Sequence, residues 1–226
     1  MGRERPKLPT VRLKTPFSVE RLSNLEIGTV VYLDGVIFTG REGVYKRFID
    51  DGVALPEGLT DLSNVNFHCS PAASVNADGS YRIGGVTATA SFRFSRWLPQ
   101  WLSRTGCRAI IGKGGMSGTD YRETFVPAEA IYLTTVGYGT GALLGRGIKR
   151  VIDVHWLKEL GIAQAMWVLE VENFGPLLVE SDLQGRSLFE SNNATINQNI
   201  ERLYAGLKKP ALARFGETGN KTDELI

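Results

Sequence analysis

The sequence predicts a domain of the α/β or α+β class, and three observations support this prediction. Short apolar runs typical of strands alternate with segments in which apolar residues recur at helical spacing. Turn sequences rich in glycine, asparagine and aspartate separate several of these runs, which indicates hairpins as well as crossovers. The chain has 226 residues, of which 42% are hydrophobic, so it can bury one large core. Strands and helices mixed in this way favour a layered sandwich over a regular succession of βαβ units.

The first part of the chain is predicted to contain two hairpins. Residues 1–14 are basic and contain prolines, which predicts a flexible N-terminal arm. Asp34-Gly35 and Asn76-Ala77-Asp78-Gly79 are turn sequences, each between two apolar runs. The predicted elements are a short helix capped by Ser18 and reaching Leu25, strands over 29–33 and 36–39, a helix over 42–51 ended by Gly52, a strand over 64–68, and strands over 73–75 and 81–83.

The middle of the chain predicts a helix followed by a buried strand. Ser91 or Ser95 can cap a helix that starts near Phe94, and Gly106 is suited to end it. The strand over 108–111 leads into the loop 112–115, which reads Gly-Lys-Gly-Gly. Glycines in such a loop let a ligand approach the backbone closely. The apolar stripe of this helix consists of Trp97, Leu98, Trp101 and Leu102.

The last part of the chain is predicted to alternate helices and strands and to end in a flexible tail over 209–226. The folded domain is therefore predicted to span residues 15–208, without a repeat or an interdomain linker. The predicted elements are helices over 117–125 and 141–150, strands over 130–135, 165–171 and 177–181, and an amphipathic helix capped near Asn193 with apolar positions at Ile196, Ile200, Leu203, Tyr204 and Leu207.

A glycine-rich stretch over 137–142 leaves a dinucleotide-binding alternative open. It fits a loose G-x-G-x-x-A pattern after a strand and before a helix. An acidic residue about twenty positions later is part of that pattern, and the nearest one here is Asp153. The other interpretation is a tight turn, followed by a helix whose N-terminus points at the binding pocket. A P-loop is excluded, because Lys113 is followed by glycine.

Charge and composition limit the kind of protein. The net charge of +2 argues against binding to nucleic acid or to a membrane surface through bulk charge, and no apolar run is long enough to span a membrane. The N-terminus lacks the apolar segment of a signal peptide, so a cytoplasmic protein is expected. The only cysteines, Cys69 and Cys107, are predicted to be thiols. Two cysteines and two histidines, scattered in sequence, are too few for an iron–sulfur cluster or structural zinc.

Five residues are candidates for binding an anionic small molecule. Arg41 lies where a predicted strand meets a predicted helix, a common place for a binding group. Ser91 and Arg93 lie at one end of the central helix–strand unit, and Lys113 lies at the other. Hydroxyl, guanidinium and ammonium groups donate hydrogen bonds to carboxylates and so bind them well. His68, at a strand end, is either a ligand or acid–base group or a structural histidine, and each arginine has the alternative of being a solvated surface cation.

These motifs resemble a known family. Thr89-Ala90-Ser91-Phe92-Arg93, followed by Ile111-Gly112-Lys113-Gly114, resembles the Pro-Thr-Thr-x-x-Arg-Met and Gly-Lys-Gly signature of class I fumarate hydratases. In particular it is similar to the β subunits of two-subunit fumarases and L(+)-tartrate dehydratases. Residues 34–41 resemble the family's first signature, His68-Cys69-Ser70-Pro71 is similar to its His-Cys-Gly-Pro, and residues 154–161 and 167–179 resemble its C-terminal part. The resemblance covers about residues 15–190.

The resemblance implies a swivelling three-layer β/β/α domain with a mixed sheet. It implies reversible hydration and dehydration of a four-carbon dicarboxylate, either malate and fumarate or tartrate and oxaloacetate. Thr89 stands at the family's catalytic threonine, and Arg41, Arg93, Lys113, Ser91 and His68 are expected to bind substrate. No metal is expected on this chain. A [4Fe-4S] cluster is expected on an α subunit, which forms a heterotetramer with this chain and without which it is inactive.

Several residues depart from the family pattern. Ala88 and Ala90 replace its proline and second threonine, Phe94 replaces its methionine, and Tyr45 stands where a histidine is usual. These changes are expected to alter the wall of the pocket while they leave its cations in place. A non-catalytic domain that binds an anion or regulates another protein, and a nicotinamide dehydrogenase built on residues 137–142, are the alternatives.

Overall fold

The computed structural model describes residues 8–137, 139–203 and 205–206. The chain divides into two compact units, residues 1–190 and 191–226. The candidate binding residues all belong to the first unit. The predicted domain end at 208 and the tail over 209–226 lie outside the described residues. No helix in the described part of the chain is long and apolar enough to cross a membrane.

The described residues form nine strands and eight α-helices. Short π-helical segments, Lys46–Asp50 and Tyr121–Phe125, continue α2 and α5, and a 3₁₀ turn, Ser91–Phe94, precedes α4. The strands are β1 Thr10–Lys14, β2 Val30–Thr39, β3 Val65–Phe67, β4 Cys69–Val75, β5 Tyr81–Ala88, β6 Ala109–Gly112, β7 Ile131–Thr135, β8 Ile148–His155 and β9 Met166–Ser181. The helices are α1 Val19–Ser23, α2 Glu42–Tyr45, α3 Leu59–Leu62, α4 Leu98–Thr105, α5 Gly118–Asp120, α6 Gly141–Arg146, α7 Leu157–Leu160 and α8 Leu188–Leu203.

Seven strands form one mixed sheet in the order β1-β2-β3-β6-β7-β9-β8, and β9 also pairs with β2. This second pairing closes β2, β3, β6, β7 and β9 into a five-stranded barrel. The first four of these strands are parallel to their neighbours, and β9 is antiparallel to both β7 and β2. The predicted mixed sheet with helices is confirmed. Closure into a barrel was not predicted, and the three-layer arrangement implied by the resemblance stays a prediction.

The barrel strands are buried on both faces. Neighbouring residues of one strand, such as Ile110 and Ile111 in β6 or Tyr132 and Leu133 in β7, belong to two different apolar clusters. One cluster fills the barrel, and the other packs the outer face of the sheet against α2 and α4. Burial on both faces explains why these strands read as continuous apolar runs.

The β4–β5 hairpin leaves the sheet as a separate two-stranded ribbon. The predicted turn between its strands is confirmed, because the Asn76 amide donates to Ser80 O at 2.8 Å. The predicted cap of α1 by Ser18 and the left-handed Gly106 at the end of α4 are also confirmed. The ribbon is longer than predicted, because its strands continue to Cys69 and Ala88 and so reach the end of β3.

The predicted hairpin at Asp34-Gly35 is wrong, because β2 runs through both residues. Gly35 has a φ of 107° and lies at register shifts in the pairing with β9, so the turn sequence encodes a bulge. Arg12 donates to Asp34 Oδ1 at 2.7 Å from the neighbouring strand. The predicted arm is likewise wrong for residues 10–14, which form β1 parallel to β2. Its partner strand lies twenty residues further along the chain, so local composition could not indicate the pairing.

Three predicted elements near the C-terminus need correction. The helix predicted over 141–150 ends at Arg146, and β8 begins at Ile148. The strands predicted over 165–171 and 177–181 are one long strand, β9, which bends at Asn173 with a φ of 50°. The last helix starts at Leu188, where Ser187 Oγ accepts from the Glu190 amide at 3.1 Å, and Asn193 lies inside it. Tyr204 and Leu207 lie outside the described residues.

Gly35→Ala tests whether β2 needs this bulge. An added Cβ would lie 2.5 Å from Thr15 Oγ1, in addition to the strain of a positive φ. We expect a loss of about 3 kcal/mol in the free energy of unfolding, measured by urea denaturation. The matched control is Gly52→Ala, which has a φ of 70° but open space around the added atom. It should cost only about 1 kcal/mol, and equal losses in the two variants would contradict the steric argument.

Candidate functional site

Three candidate residues follow the ends of parallel strands in the barrel. Arg41 comes after β2, His68 directly after β3, and Lys113 directly after β6. Because β2, β3 and β6 are parallel neighbours, their carboxyl ends meet at one edge of the sheet. The topology therefore brings together residues that are far apart in sequence.

The β4–β5 ribbon returns to this same edge and places Thr89 between His68 and Lys113. The Thr89 amide donates to His68 O at 2.7 Å, and the Lys113 amide donates to Thr89 O at 3.1 Å. Thr89 is 5% exposed, and its hydroxyl makes no hydrogen bond to another described residue. Ser91 and Arg93 follow in the 3₁₀ turn, so this backbone junction orders the whole segment from Thr89 to Arg93.

Two guanidinium groups lie close together at this edge. Arg41 is half-buried, and its Nη1 donates to Ser70 Oγ and, at 2.9 Å, to Ala163 O. Its Nε is buried without a hydrogen-bond partner in the described part of the chain. Burial and the nearby charge of Arg93 lower the pKa of Arg41. Arg93 is exposed, and neither arginine forms an ion pair with a described carboxylate. Two like charges without a paired acid among the described residues are suited to binding an anion.

Lys113 is half-buried at the start of the glycine loop. A Cβ on Gly112 would lie 2.0 Å from Ser91 Oγ and 2.5 Å from Tyr132 Oη, so this glycine makes room for protein side chains. The predicted reason for it, close approach of a ligand, is wrong at Gly112. Gly114 has a φ of 68° and open space beside it, so it allows the loop to turn. A cavity of about 40 Å³ borders Lys113 on the side of α6.

A buried polar network lies behind the site and runs through His68. Asn66 Nδ2 donates to Tyr45 Oη at 2.5 Å, so the Tyr45 hydroxyl hydrogen points to His68 Nε2, also at 2.5 Å. His68 Nδ1 then carries the imidazole proton and donates to Ser91 Oγ at 2.7 Å. Tyr132 Oη donates to the same Ser91 oxygen at 2.7 Å. The network thus connects the core to the turn between Thr89 and Arg93.

The electrostatics of this network keep His68 neutral. Burial, and secondly the positive charge of Arg41, lower the pKa of His68 to about 3. The ring is fully buried, and the edges of Tyr45 and Phe94 pack around it, with centroids 5.7 and 4.9 Å away. A protonated imidazolium in this place would repel Arg41 and lose its acceptor role toward Tyr45.

This burial corrects two predictions about the pocket. Direct substrate contacts were predicted for His68 and Ser91, but both are 0% exposed and form hydrogen bonds with protein side chains. Their place is behind the binding edge, where they hold the turn. The departures Tyr45 and Phe94 were expected to alter the pocket wall, but both lie in the aromatic core beside His68. Ala88 and Ala90 are half-buried at the edge itself.

The dinucleotide alternative has no support in the structure. Helix α6 has six residues, and its glycines face the ribbon. A Cβ on Gly141 would lie 2.1 Å from Val86 O, and one on Gly145 would lie 2.7 Å from Gly85 Cα. Gly141 and Gly145 are therefore needed for close packing of α6 on β5.

The described residues do not fit a metal cluster. They contain no group of three or more His, Cys, Asp and Glu side chains that could hold a metal ion. Cys69 and Cys107 are both free and buried. Burial raises the pKa of Cys69 and raises that of Cys107 to about 12, so neither favours the thiolate form that binds iron.

Sequence reasoning missed several polar residues of the site. Ser70 holds Arg41, Asn66 and Tyr132 complete the buried network, and Glu180 is buried under the glycine loop. A polar residue inside an apolar strand run, as in Asn66 within Val65–Phe67, is a sequence signal that could have indicated Asn66. The partners of these residues depend on the barrel and have no such signal.

Comparison with known proteins identifies relatives along nearly the whole chain. Residues 2–192 match the family described as Fumarase C-terminus. The "L(+)-tartrate dehydratase subunit beta" of Escherichia coli K12 is 31% identical over 205 residues, covering 91% of this chain and 95% of that protein. The "Putative L(+)-tartrate dehydratase subunit beta" of Methanocaldococcus jannaschii is 33% identical over 185 residues, covering 80% and 92%. The "Putative fumarate hydratase class I" of Geobacillus stearothermophilus is 30% identical over 181 residues, which are 80% of this chain and 34% of that protein.

The buried neutral His68 predicts a pH dependence of stability. Its pKa is about 3 when folded and 6.5 in the unfolded chain, so the unfolded state binds the extra proton between these values. Its contribution is fully present above pH 6.5 and is lost as pH falls toward 3. In urea titrations between pH 4.5 and 7.5, wild type should lose up to about 1.4 kcal/mol more per pH unit than His68→Gln.

The control for this experiment is His155→Gln, which removes the chain's other histidine from a partly exposed position. Its stability should fall with pH as steeply as that of wild type, because His68 is intact. Parallel pH profiles for wild type and His68→Gln would contradict a buried neutral imidazole.

Proposed function

This chain belongs to the Fumarase C-terminus family, and we propose that it is the β subunit of a hydro-lyase acting on a four-carbon dicarboxylate. The names of its relatives favour two reactions, dehydration of L(+)-tartrate to oxaloacetate and interconversion of malate and fumarate. The observation that carries the proposal is the edge of the barrel where Arg41, Arg93 and Lys113 surround Thr89.

The cations of this edge suit a dianionic substrate. A dicarboxylate carries negative charge at both ends and needs more than one cationic partner. Ser70 and Ala163 O hold the Arg41 guanidinium in place, so little of its conformational freedom remains to be lost on binding. Arg93 has a planar fork for a bidentate contact with one carboxylate. Lys113 contributes a compact ammonium beside the second.

Thr89 is the proposed proton-transfer residue of this chain. Its backbone bonds to His68 and Lys113 hold it at the same edge as the three proposed substrate-binding cations, which supports this role. Dehydration removes a weakly acidic proton from the carbon next to a carboxylate, and the Thr89 oxygen would accept this proton. A threonine hydroxyl is a weak base, so it needs activation by a neighbouring group, which we propose the partner subunit supplies. His68 and Ser91 act behind it by holding the turn that carries Thr89 and Arg93.

The departing hydroxide requires a Lewis acid, and the described residues of this chain do not fit a metal ion that would provide one. A [4Fe-4S] cluster on an α subunit would supply a Lewis-acid iron for it. The name "subunit beta" of the relatives supports such a partner, and the residues of this chain do not fit the cluster. We propose that the two subunits form a heterotetramer with the substrate between chains, and that it works in the cytoplasm, where buried free thiols persist.

Co-purification with a candidate α subunit tests this function. The anaerobic complex should dehydrate tartrate or malate, whereas either chain alone should be inactive. Substrate binding without turnover in the iron-loaded complex would favour the non-catalytic anion-binding alternative. A brown, active preparation of this chain alone would contradict the proposed division of the site between subunits.

Thr89→Ala is expected to reduce kcat of the complex by about 10²–10⁴-fold with little change in substrate affinity, because general acid–base groups contribute in this range. Steady-state kinetics and equilibrium titration measure the two effects separately. Thr87→Ala is the matched control, since Thr87 lies two residues earlier, in β5, and is exposed. A near-normal rate for Thr89→Ala would reduce this residue to a structural part of the turn.

Arg93→Lys is expected to weaken dicarboxylate binding by about ten-fold or more, because an ammonium cannot form the bidentate contact. Isothermal titration of the mutant complex with tartrate and malate measures this loss. Arg82→Lys, at an exposed arginine of β5, is the control and should bind like wild type. If both variants gave wild-type curves, Arg93 would be a solvated surface cation.

A further inference from the structure

Glu180 is a buried carboxyl group under the loop that carries Lys113, and the mechanism above does not use it. It lies in β9 and is 0% exposed. Its Oε1 accepts from Ser187 Oγ at 2.6 Å and from the Phe189 amide at 3.4 Å. Its Oε2 is buried and has no hydrogen-bond partner among the described residues. An acceptor left unpaired in the interior is costly, so a donor is expected beside it.

Tyr121 is a buried donor close to this carboxyl group. Its phenol is 0% exposed, and Tyr121 Oη accepts from the Met116 amide at 2.8 Å, which leaves the hydroxyl hydrogen to be donated. A Cβ on Gly115 would lie 3.1 Å from Tyr121 Oη and 3.3 Å from Glu180 Cδ. The phenol and the carboxyl group therefore both pack against Gly115. Burial and the neighbouring Glu180 charge raise the pKa of Tyr121, in agreement with this proximity.

The position of these two residues matters because the loop is held at both ends. At its start, the Lys113 amide bonds to Thr89 O and so to the substrate-binding edge. At its end, Gly115 packs on Tyr121 and Glu180, and the Met116 amide bonds to Tyr121. Gly114 between them has a positive φ and open surroundings, so nothing in the loop itself resists turning. The second anchor therefore restricts the direction in which Lys113 leaves the backbone.

We propose that Glu180, acting through the Tyr121 hydroxyl, is a positioning residue for Lys113 and sets the affinity of the site for an anionic substrate that it does not touch. This inference rests on the proposed function of the site. In the proposed arrangement, the Tyr121 hydroxyl accepts from the Met116 amide and turns its hydrogen toward the unpaired Glu180 Oε2, so the carboxyl orients the phenol and the phenol holds the loop. These contacts thereby restrict the direction in which the Lys113 side chain extends toward the substrate.

Glu180→Gln and Tyr121→Phe, singly and together, test this inference. Both preserve volume. Glu180→Gln replaces one carboxylate oxygen with an NH₂ group, so the donor or donors that face this oxygen lose their acceptor. Tyr121→Phe removes the acceptor of the Met116 amide. Each should raise KM for the dicarboxylate about ten-fold in the αβ complex, which corresponds to about 1.4 kcal/mol, with kcat nearly unchanged. The double variant should be no worse than the more affected single variant, because both changes break one chain of contacts.

Hydrogen exchange in the full β chain alone gives a readout that does not depend on activity. Both single variants should speed exchange of the Met116 amide. Thr105→Val is the control: it removes a buried hydroxyl bond to Trp101 O in α4, so it should lower stability without changing KM or exchange in the loop.

The possible outcomes separate this inference from the proposed function. Unchanged Met116 exchange in Glu180→Gln would overturn the role of Glu180, whatever the kinetics show. Faster exchange with an unchanged KM would show that the contacts of Glu180 and Tyr121 with the loop do not affect substrate binding by Lys113. This result would overturn the inference, and the proposed hydro-lyase function would stand. A wild-type complex without turnover would overturn the proposed function and the effect on substrate affinity together, and the exchange data would still decide the anchor.

Discussion

Two backbone hydrogen bonds at Thr89 hold the candidate site together. One joins its amide to His68 O after β3, and the other joins its carbonyl to the Lys113 amide after β6. They add the returning ribbon to the ends of two parallel strands, so the segment from Thr89 to Arg93 is ordered by the sheet. Without these two bonds, Thr89, Ser91 and Arg93 would follow the β4–β5 ribbon with no contact that fixes their position relative to Arg41 and Lys113.

Polar groups buried behind this junction make it rigid at a cost. A neutral histidine, two tyrosines and a serine are buried together, and each needs its partner, since an unpaired polar group in the interior is destabilising. Gly112 is part of the same arrangement, because any side chain there would displace Ser91 and Tyr132. Under the other end of the loop, Glu180 and Tyr121 form a second buried polar cluster. The cations at the edge are thus supported from behind by groups that are themselves buried.

The described edge is rigid, but it does not contain all the groups that a hydro-lyase needs. This agrees with the proposal that the active site is shared with another subunit. This chain presents cations and a threonine on a fixed edge, but its described residues provide neither an acid paired with Arg41 or Arg93 nor a cluster of metal ligands. Burial, and secondly the charge of Arg93, lower the pKa of Arg41. An opposite charge beside the two guanidinium groups would favour their charged form, which agrees with the proposal that this edge binds an anion.

The sequence by itself determined the residue types of the site, the order of the motifs and most local elements, because caps, turns and apolar runs depend on near neighbours. Arg41, Arg93, Lys113 and Thr89 were indicated in this way, through their motifs and their resemblance to a family. Only the tertiary structure decided that Asp34-Gly35 is a bulge, that β1 pairs with β2, and that His68 and Ser91 point inward. Each of these outcomes depends on a partner strand or side chain far along the chain, and β9 closes the barrel by pairings that no local pattern encodes.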